Sequence, residues 1–380
     1  GNRVKVSSTR LVSLVHRHLA MMTIEITPLD APAPIVVSSQ LLNRQDGEDE
    51  YHVRSAALGE GKDPRKASKF TERVLEPRLQ QREEGSVVLG YRCRNSGMTL
   101  ACGYWNHVDA ACETRIETTL EDDIAKSVIT AHPDAGETVT ITKFVSYHTS
   151  RGVPPEELAD RCARTLRRAA DEGGARLVAE QGQWLGDYWA ASDIELRGND
   201  GDQQALRWNL FQLAQASART HEQGIAAKAV TAGGYDGHYF WDTEVYVAPF
   251  LAYNNPEAAR KVMRFRWKML DAARQRASML SERGALYPWR TINGEEASAY
   301  YAAGTAQYHI NAAVVFALRR YLDATGDVEF LAHEGAEMLI ETARLWADLG
   351  FYATNGSDSF HIHRVTGPDE YTTVVNDNTY

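Results

Sequence analysis

Three segments of the sequence combine residue types that could do chemistry on a sugar. They are GGYDGHYFWDTEVY (233–246), GALYPWRTINGEEASAY (284–300) and FHIHRVTGPDEY (360–371). Each places glycines, aromatic rings and carboxylates between predicted helices, and connections on a rigid scaffold are the usual location of active sites. Aromatic faces can cover the C–H patches of a sugar ring, while charged groups hydrogen-bond its hydroxyls. The three segments therefore predict a carbohydrate site.

The first segment also has a purely structural interpretation. Asp242 in FWDTE could cap a helix that begins at Thr243, with Phe240 and Trp241 forming a hydrophobic staple into the core. The sequence leaves both roles open, because capping and sugar binding can coexist in one residue.

The third segment contains two adjacent carboxylates, Asp369 and Glu370. Gly367 and Pro368 predict a turn before them, and one of the two acids could cap a following helix. Neighbouring side chains point in different directions, so a structural role is not expected of both. One carboxylate is therefore a candidate for catalysis.

Two histidines of the same segment, His361 and His363, alternate along a predicted strand and should face one side of it. They could bind a metal, but no third ligand follows at a recognisable spacing. We therefore predict structural histidines and no metal site.

Helical periodicity begins near Pro154 and dominates the rest of the chain. The first predicted helix, PPEELADRCARTLRRAADEG, starts with proline and acids and ends at glycine. The second, ARLVAEQGQWLGDYWAA, carries an aromatic stripe that we assign to core packing: Trp184, Tyr188 and Trp189. Further helices are predicted at about 203–220, 243–253, 256–280, 306–324 and 327–349.

The helix boundaries have their own signals. Asn255 should cap a helix beginning at Pro256, and Gly326 and Asp327 should separate the last two helices. The segment EVYVAPFLAY is apolar on nearly all sides, whereas ARKVMRFRWKMLDAARQR is amphipathic. Such alternation of buried and outer helices predicts two concentric helical layers, as in an α/α barrel.

The first 150 residues instead show alternation of period two. RVKVSS, TRLVSLVHR, AMMTIEITPL, GSVVLGYRC, MTLACGYW, CETRIETTL and ETVTITKFVSYH are separated by clusters of Gly, Pro, Asp and Asn. This pattern predicts antiparallel strands in a β-sandwich. The polar segment 43–68 is predicted to be a long exposed loop.

Composition excludes several other classes of protein. The chain has 380 residues, of which 43% are hydrophobic and 24% charged, with a net charge of −10. A core of ordinary size is therefore expected, and neither nucleic acid nor an anionic membrane is expected as a partner. The run APAPIVV is too short to span a bilayer. Four cysteines without CxxC spacing predict reduced thiols in a cytoplasmic protein.

Several motifs together resemble glycoside hydrolase family 65, the inverting phosphorylases of trehalose, maltose or kojibiose. They are GYDGHYFWDTE, ALYPWRTINGEEASAYYAAGTAQYHINA, GAEMLIETARLWADLGFY and VTGPDEYTTVVNDNTY. The resemblance runs from about residue 184 to the last residue and is looser before it. It implies a β-sandwich domain (1–150), a helical linker (151–200) and the first part of an (α/α)6 catalytic barrel (201–380).

The resemblance also implies residue roles. The general acid of the family corresponds to Glu370, and its Trp-Asp pair that holds the glucosyl unit corresponds to Trp241 and Asp242. Where maltose and kojibiose phosphorylases usually have Tyr-Pro-Trp-Glu, this chain has arginine in fourth place, so the role of that glutamate does not carry over. PWRTINGEE followed by GTAQYHINA instead resembles the trehalose phosphorylases. The implied substrate-binding residues are Trp241, Asp242, Trp289, Arg290, Glu295, Glu296 and His309.

The implied reaction needs one acid and no cofactor, because phosphate is the co-substrate and is already nucleophilic. Glu370 would protonate the leaving oxygen while phosphate attacks from the opposite face, giving β-glucose 1-phosphate. For this, Glu370 must have a raised pKa, whereas Asp242 should stay ionised to stabilise developing positive charge. Asp369 is then expected to be a turn or capping residue.

Family members are longer, and their phosphate-binding loops lie downstream of GPDEY. We therefore expect these 380 residues to be part of a longer enzyme and to be inactive alone. The resemblance also implies a homodimer. Two alternatives stay open at the level of sequence. One is an inverting hydrolase of the same family that uses water, and the other is a non-catalytic carbohydrate-binding or scaffold protein.

Overall fold

The computed structural model describes residues 2–43, 73–83, 85–217, 224–228, 234–298, 306–354, 358–368 and 375–377. Asp369, Glu370 and nearly all of the predicted 43–68 loop lie outside these ranges. The chain divides into two compact units, the first ending at Asp187 and the second beginning at Tyr188. Each unit is described by itself.

The first unit is built from nine antiparallel strands in its described part. Their bounds are β1 Val4–Val12, β2 Leu19–Pro28, β3 Ile35–Leu42, β4 Leu75–Glu83, β5 Ser86–Cys93, β6 Thr99–Asp109, β7 Thr114–Leu120, β8 Ile124–Ala131 and β9 Val139–Ser150. One sheet has the order β1-β2-β9-β6-β5-β4, and the other has the order β3-β8-β7. The prediction of an N-terminal antiparallel β-domain is thus confirmed.

Both faces of the six-stranded sheet are covered. On one face, Leu89 and Tyr91 of β5 pack with Ala125 of β8, so the two sheets share a core. On the other face lies helix α1 (Pro155–Glu172), whose Cys162 packs against Val88. The predicted period-two segments include β5 but none of β3, β4 and β8. The residues of β4 are all exposed or half-buried at the sheet edge, so its alternation of polarity is weak.

The second unit is helical in its described part. After α2 (Gly174–Ser192), which crosses from the first unit, come α3 Asp200–Ser217, a π-helical turn Thr243–Val247 leading into α4 Ala248–Asn254, α5 Pro256–Lys268, α6 Leu270–Met279 and α7 His309–Thr325. The last helices are α8 Val328–Phe330, a π-helical turn Leu331–Gly335 and α9 Ala336–Leu349, followed by the two-stranded β10 Phe351–Tyr352 and β11 Phe360–His361. None of the helices in the described ranges has the length and apolar character needed to cross a membrane.

The predicted helix caps are confirmed. The side chain of Asn255 accepts a hydrogen bond from the backbone N–H of Ala258 at 3.1 Å. Gly326 ends α7 with a φ of 65°, which glycine adopts without steric cost. Asp327 caps α8 by accepting from the backbone N–H of Phe330 at 2.9 Å.

The predicted single helix over 256–280 is wrong, because the chain breaks into α5 and α6 at Met269. This residue has φ −88° and ψ −3°, and its N–H bonds to the carbonyl of Arg266 in a tighter turn. Met269, Leu270 and Ala273 are nevertheless all buried in the same core. The apolar periodicity therefore continues across the break, which hides it from the sequence.

The aromatic stripe of α2 is half-buried, which corrects its assignment to core packing. Trp184, Tyr188 and Trp189 all keep intermediate exposure. The phenol of Tyr188 donates a hydrogen bond to the carbonyl of Leu210 on α3 at 2.6 Å. The core of the second unit lies instead between α4, α5, α7 and α9, around residues such as Met263 and Val314.

Candidate active site

Two of the three predicted segments are joined to each other by backbone hydrogen bonds. The N–H of Tyr239 donates to the carbonyl of Thr291 at 2.8 Å, and the N–H of Thr291 donates back at 3.2 Å. Thr291 is fully buried. The connection before α4 and the connection after α6 are therefore joined to each other.

The second connection is organised by the carboxylate of Glu296. This carboxylate accepts from the backbone N–H groups of Trp289 at 2.8 Å, Arg290 at 3.1 Å and Ser298 at 3.1 Å. It also forms an ion pair with Arg276 of α6 at 2.6 Å. With four donors, Glu296 fixes the course of its own loop, and its predicted contact with substrate stays a prediction.

The same loop is fastened to α7 by Asn311. The side-chain oxygen of Asn311 accepts from the N–H of Tyr287 at 2.9 Å, and its amide nitrogen donates to the carbonyl of Ala285 at 2.8 Å. Asn311 and Tyr287 are both fully buried, and burial raises the pKa of the Tyr287 phenol. Sequence reasoning missed Asn311, although an amide within the apolar run of HINAAVVFA signals a buried polar contact.

Asp242 does not cap a helix, so the capping interpretation is wrong. Its backbone is already helical, with φ −54° and ψ −36°, and its side chain makes no capping hydrogen bond. The residue is exposed, yet the groups packed around it raise the pKa of its carboxyl by desolvation, and the nearby Glu244 adds repulsion. The carboxylate of Asp242 is therefore not committed to the helix end.

Beneath Asp242 lies a buried ion pair that the sequence analysis missed. Arg266 of α5 donates to both oxygens of Glu244, at 2.7 and 3.0 Å, and each side chain is 1% exposed. Two bonds in parallel give the pair a defined geometry as well as charge neutralisation. The sequence contained a signal for this burial. Arg266 lies four positions after Val262 and three before Met269, so on a helix it shares the face of two core residues.

His309, at the start of α7, packs against Trp241. Their rings meet edge to face, with centroids 5.2 Å apart and an angle of 83°. The Nε2 atom of His309 lies 2.6 Å from the side-chain oxygen of Gln307. Burial lowers the pKa of His309 to about 4, so the ring is neutral near pH 7. The structure thus brings together two residues that lie 68 positions apart in the sequence.

The third segment lies near His309 through its residues 362–368. The N–H of Thr366 donates to the carbonyl of Ala306 at 2.9 Å. A cavity of about 100 Å³ lies between this segment and the helices α7 and α9. It is lined by Tyr308, His309, Ala312, Trp346, Ile362, Val365, Thr366, Gly367 and Pro368. Glu370 itself is outside the described residues, but Pro368, two positions before it, shares this cavity with His309.

Two polar groups near this cavity are buried without a hydrogen-bond partner among the described residues. They are the hydroxyl of Thr366 and the amide nitrogen of Gln307, each in a residue that is 2% exposed. Leaving such groups unsatisfied is costly, so they are the atoms that a bound hydroxyl or water would satisfy.

The other predicted substrate-binding residues differ in how far they are buried. Arg290 is 9% exposed, and its Nη2 donates to the carbonyl of Tyr235 at 3.4 Å. Glu295 is exposed and accepts from the side chain of Asn293 at 2.9 Å. Trp289 is half-buried and meets Phe240 edge to face at 5.6 Å. Arg290 and Trp289 therefore belong to the joined loops, whereas Glu295 is at their exterior.

Metal binding finds no support in the described ranges, where no group of three or more His, Cys, Asp or Glu side chains is placed to hold an ion. His361 uses both ring nitrogens within the protein, with Nδ1 2.8 Å from Asp377 and Nε2 2.9 Å from Ser359. His363 lies on the same side, its ring centroid 6.5 Å from that of His361.

Comparison with known proteins covers the whole chain. The description "Glycosyl hydrolase family 65, N-terminal domain" matches residues 1–188, and "Glycosyl hydrolase family 65 central catalytic domain" matches residues 207–380. The chain is 38% identical to an alpha,alpha-trehalose phosphorylase of Thermoanaerobacter brockii, with 100% of this chain and 48% of that protein aligned. It is 30% identical to a kojibiose phosphorylase of Escherichia coli, over 100% of this chain and 49% of that protein.

A solved structure described as a putative kojibiose phosphorylase from human microbiome matches with a TM-score of 0.84 at 25% identity. The match covers 100% of this chain and 47% of that one. The chain thus spans about half the length of the relatives it matches.

Proposed function

This chain belongs to glycosyl hydrolase family 65, and from that premise we propose that the protein containing it is an inverting disaccharide phosphorylase. The favoured reaction is the cleavage of trehalose by phosphate to β-glucose 1-phosphate and glucose. One observation carries the proposal: Trp241 packs on His309, and His309 shares a cavity with Pro368, which leads to Glu370. These contacts support a site in which Trp241 and Asp242 bind the sugar and the segment leading to Glu370 supplies the acid.

The proposal includes an architecture. The second unit would form the first part of an (α/α)6 barrel (201–380), after a β-sandwich domain (1–150) and a helical linker (151–200). Helices joined by short connections, such as α4 to α5 at Asn255, support this arrangement. All four cysteines are free, which supports a reducing, cytoplasmic location. A homodimer is also proposed and would be tested by light scattering.

Trp241 and Asp242 would hold the glucosyl unit. The indole of Trp241 offers an apolar face. The Asp242 carboxylate makes no capping hydrogen bond to the helix, so it can bind a ligand. Desolvation raises the pKa of Asp242, but hydroxyl groups of a bound sugar would donate to the carboxylate and favour its charged form. An ionised Asp242 would then stabilise the positive charge that develops on the sugar ring.

Glu370 would act as the general acid. Its proton passes to the glycosidic oxygen as the bond from that oxygen to the anomeric carbon breaks, and a phosphate oxygen forms the new bond on the opposite face. The configuration inverts, and one carboxyl suffices because phosphate needs no base. A neutral His309 suits this role, since a cation beside the acid would lower its pKa and favour its ionised form.

Trehalose is favoured over kojibiose because of the loop at Trp289. The chain has arginine at position 290, where the maltose and kojibiose enzymes have glutamate, and Glu295, Glu296 and His309 are proposed on the acceptor side. Arg290 is buried, which supports an effect of this change on the chemistry of the proposed site.

A phosphorolysis panel tests the proposal. The enzyme containing this chain is given trehalose, maltose, kojibiose or nigerose, with and without phosphate, and β-glucose 1-phosphate is measured. We expect release from trehalose only when phosphate is present, and a loss of about 10²- to 10⁴-fold in Glu370→Gln. Release of glucose without phosphate would indicate a hydrolase. Unchanged turnover in Glu370→Gln would indicate that another group is the acid.

A further inference from the structure

The two flanks of the segment that carries Glu370 are joined at their base. The N–H of Val365 donates to the carbonyl of Val375 at 2.8 Å, and the N–H of Val375 donates back at 2.9 Å. One step further out, the N–H of Asp377 donates to the carbonyl of Ile362 at 2.8 Å. Glu370 lies five positions from each valine in the sequence, so these bonds join the residues that flank it.

The side chain of Asp377 completes the closure. Its Oδ1 accepts from the N–H of Ile362 at 3.0 Å, and its Oδ2 lies 2.8 Å from Nδ1 of His361. The other nitrogen of His361 lies 2.9 Å from the hydroxyl of Ser359. The hydrogen bond from His361 lowers the pKa of the Asp377 carboxyl, so this acid is charged near neutral pH. We call Ser359, His361, Ile362 and Asp377 the Asp377 clasp.

The backbone at the clasp is held in an uncommon conformation on both flanks. Arg364 has a φ of 59° and Asp377 a φ of 51°, in the left-handed region that non-glycine residues seldom occupy. The N–H of Arg364 donates to the side chain of Asn376 at 3.2 Å. Strain of this kind persists only where surrounding bonds over-determine it, and it concentrates near functional sites.

We propose that Asp377 is a positioning residue for the general acid, because its clasp fixes the base of the segment that presents Glu370. This inference rests on the proposed function. A general acid must lie within hydrogen-bond reach of the leaving oxygen, and a displacement of about 1 Å can cost about 10²-fold in rate. Opening the clasp leaves the ends of the segment less constrained, and the acid then spends less time in that position.

The main experiment compares two donors in Asp377→Ala. For trehalose with phosphate, we expect kcat to fall about 10- to 100-fold while KM changes little, because the residues proposed to hold the glucosyl unit lie on other loops. For α-glucosyl fluoride with phosphate, the fall in kcat should be several-fold smaller, because fluoride leaves with little help from an acid. This dependence on the leaving group distinguishes mispositioning of the acid from general damage.

Three further variants make the test specific. Asp377→Asn keeps a side chain that tolerates the left-handed backbone and still accepts from Ile362, so it should restore most of the lost kcat. His361→Ala removes the other partner and should reproduce the pattern of Asp377→Ala. Asp358→Ala changes an exposed aspartate beside the same strand and should match the unmodified enzyme. Thermal melting of each variant identifies any that do not fold.

Hydrogen exchange gives a measurement that needs no turnover. In Asp377→Ala, the amides of Ile362, Val365 and Val375 should exchange faster than in Asp358→Ala. Unchanged exchange, a kcat on trehalose within twofold of the unmodified enzyme, or an equal loss on both donors would each overturn the inference. If Glu370→Gln abolishes turnover while Asp377→Ala does not, only the clasp fails. If Glu370→Gln stays active, the proposed function fails.

Discussion

Two loops of the proposed site, one that carries Trp289 and Arg290 and one that leads to Glu370, are held in different ways. The loop 284–298 is fixed from inside: Glu296 and Arg276 are only 17% and 12% exposed, and Asn311 is fully buried. The segment leading to Glu370 is fixed from outside, since His361 and Asp377 are 29% and 44% exposed. In each loop, one carboxylate accepts hydrogen bonds from the backbone and also pairs with a basic side chain. Glu296 pairs with Arg276, and Asp377 pairs with His361.

The difference follows from what each loop is proposed to do. A buried carboxylate with four donors cannot exchange them for water, so the residues of loop 284–298 that are proposed to bind substrate stay in one geometry. An exposed clasp competes with water for each of its bonds, so it positions its segment at a small cost in free energy. The comparison predicts large effects on stability for changes in the buried framework and small ones at the clasp.

The largest effect is expected from Glu244→Gln. This change leaves Arg266 buried without a counter-charge, and breaking a buried pair in this way costs about 3–5 kcal/mol. The measurement is the free energy of unfolding of the second unit in urea. Glu337→Gln is the matched control, because its pair with Arg274 is half-exposed and should be worth about 1 kcal/mol or less. If both variants lost the same unfolding free energy, burial of the ion pair would make no difference to its contribution.

The next effect concerns pH and His309, which packs on Trp241 and lines a cavity with Thr366 and Pro368. Its pKa is about 4 in the folded chain and about 6.5 when unfolded, so the unfolded state binds the proton more readily between these values. Stability should therefore be complete above about pH 6.5 and fall toward pH 4, by at most about 3 kcal/mol.

The control for this prediction is His309→Gln, which removes the titrating group. In that variant the fall in unfolding free energy between pH 6.5 and 4 should be smaller by most of this amount. An unchanged slope would show that His309 is accessible to protons in the folded chain.

The sequence predicted features whose causes are local. Asn255 and Asp327 cap helices through bonds to residues three positions ahead, so residue type and position sufficed. The change from strands to helices near residue 150 could also be predicted. Alternation of period two and helical periodicity each arise because one side of the element is buried. Asp242 was harder, because a π-helical turn follows it and a cap could not be distinguished from a helical residue.

Features that depend on distant pairing could not be predicted in the same way. Glu295 and Glu296 are adjacent and chemically equal. Yet it is Glu296 that accepts hydrogen bonds from backbone N–H groups of its loop and pairs with Arg276. Glu244 and Arg266 lie 22 positions apart, and their burial is decided by how α4 packs on α5. The family resemblance supplied Glu370 and Trp241, but the contact between Trp241 and His309 required the fold.

A moderate effect is expected from Glu296→Gln. The amide can still accept from one or two backbone N–H groups, but the charge opposite Arg276 is lost in a site that is mostly buried. We expect a loss of about 2 kcal/mol in unfolding free energy. Glu295→Gln is the neighbouring control, and its stability should stay within about 0.5 kcal/mol because Glu295 is exposed. If the two variants were equally stable, the loop would not depend on its internal carboxylate.

The smallest effect is expected at the far end of the clasp, in Ser359→Ala. The hydroxyl of Ser359 reaches Asp377 only through His361, and the bond between His361 and Asp377 survives the change. The loss should be about 0.5–1 kcal/mol in unfolding free energy, the net value of one ordinary hydrogen bond. The rate of trehalose phosphorolysis should stay within about twofold, since the base of the segment remains joined. A loss as large as that of Glu296→Gln would mean that the clasp is part of the rigid framework, and the contrast between the two loops would be wrong.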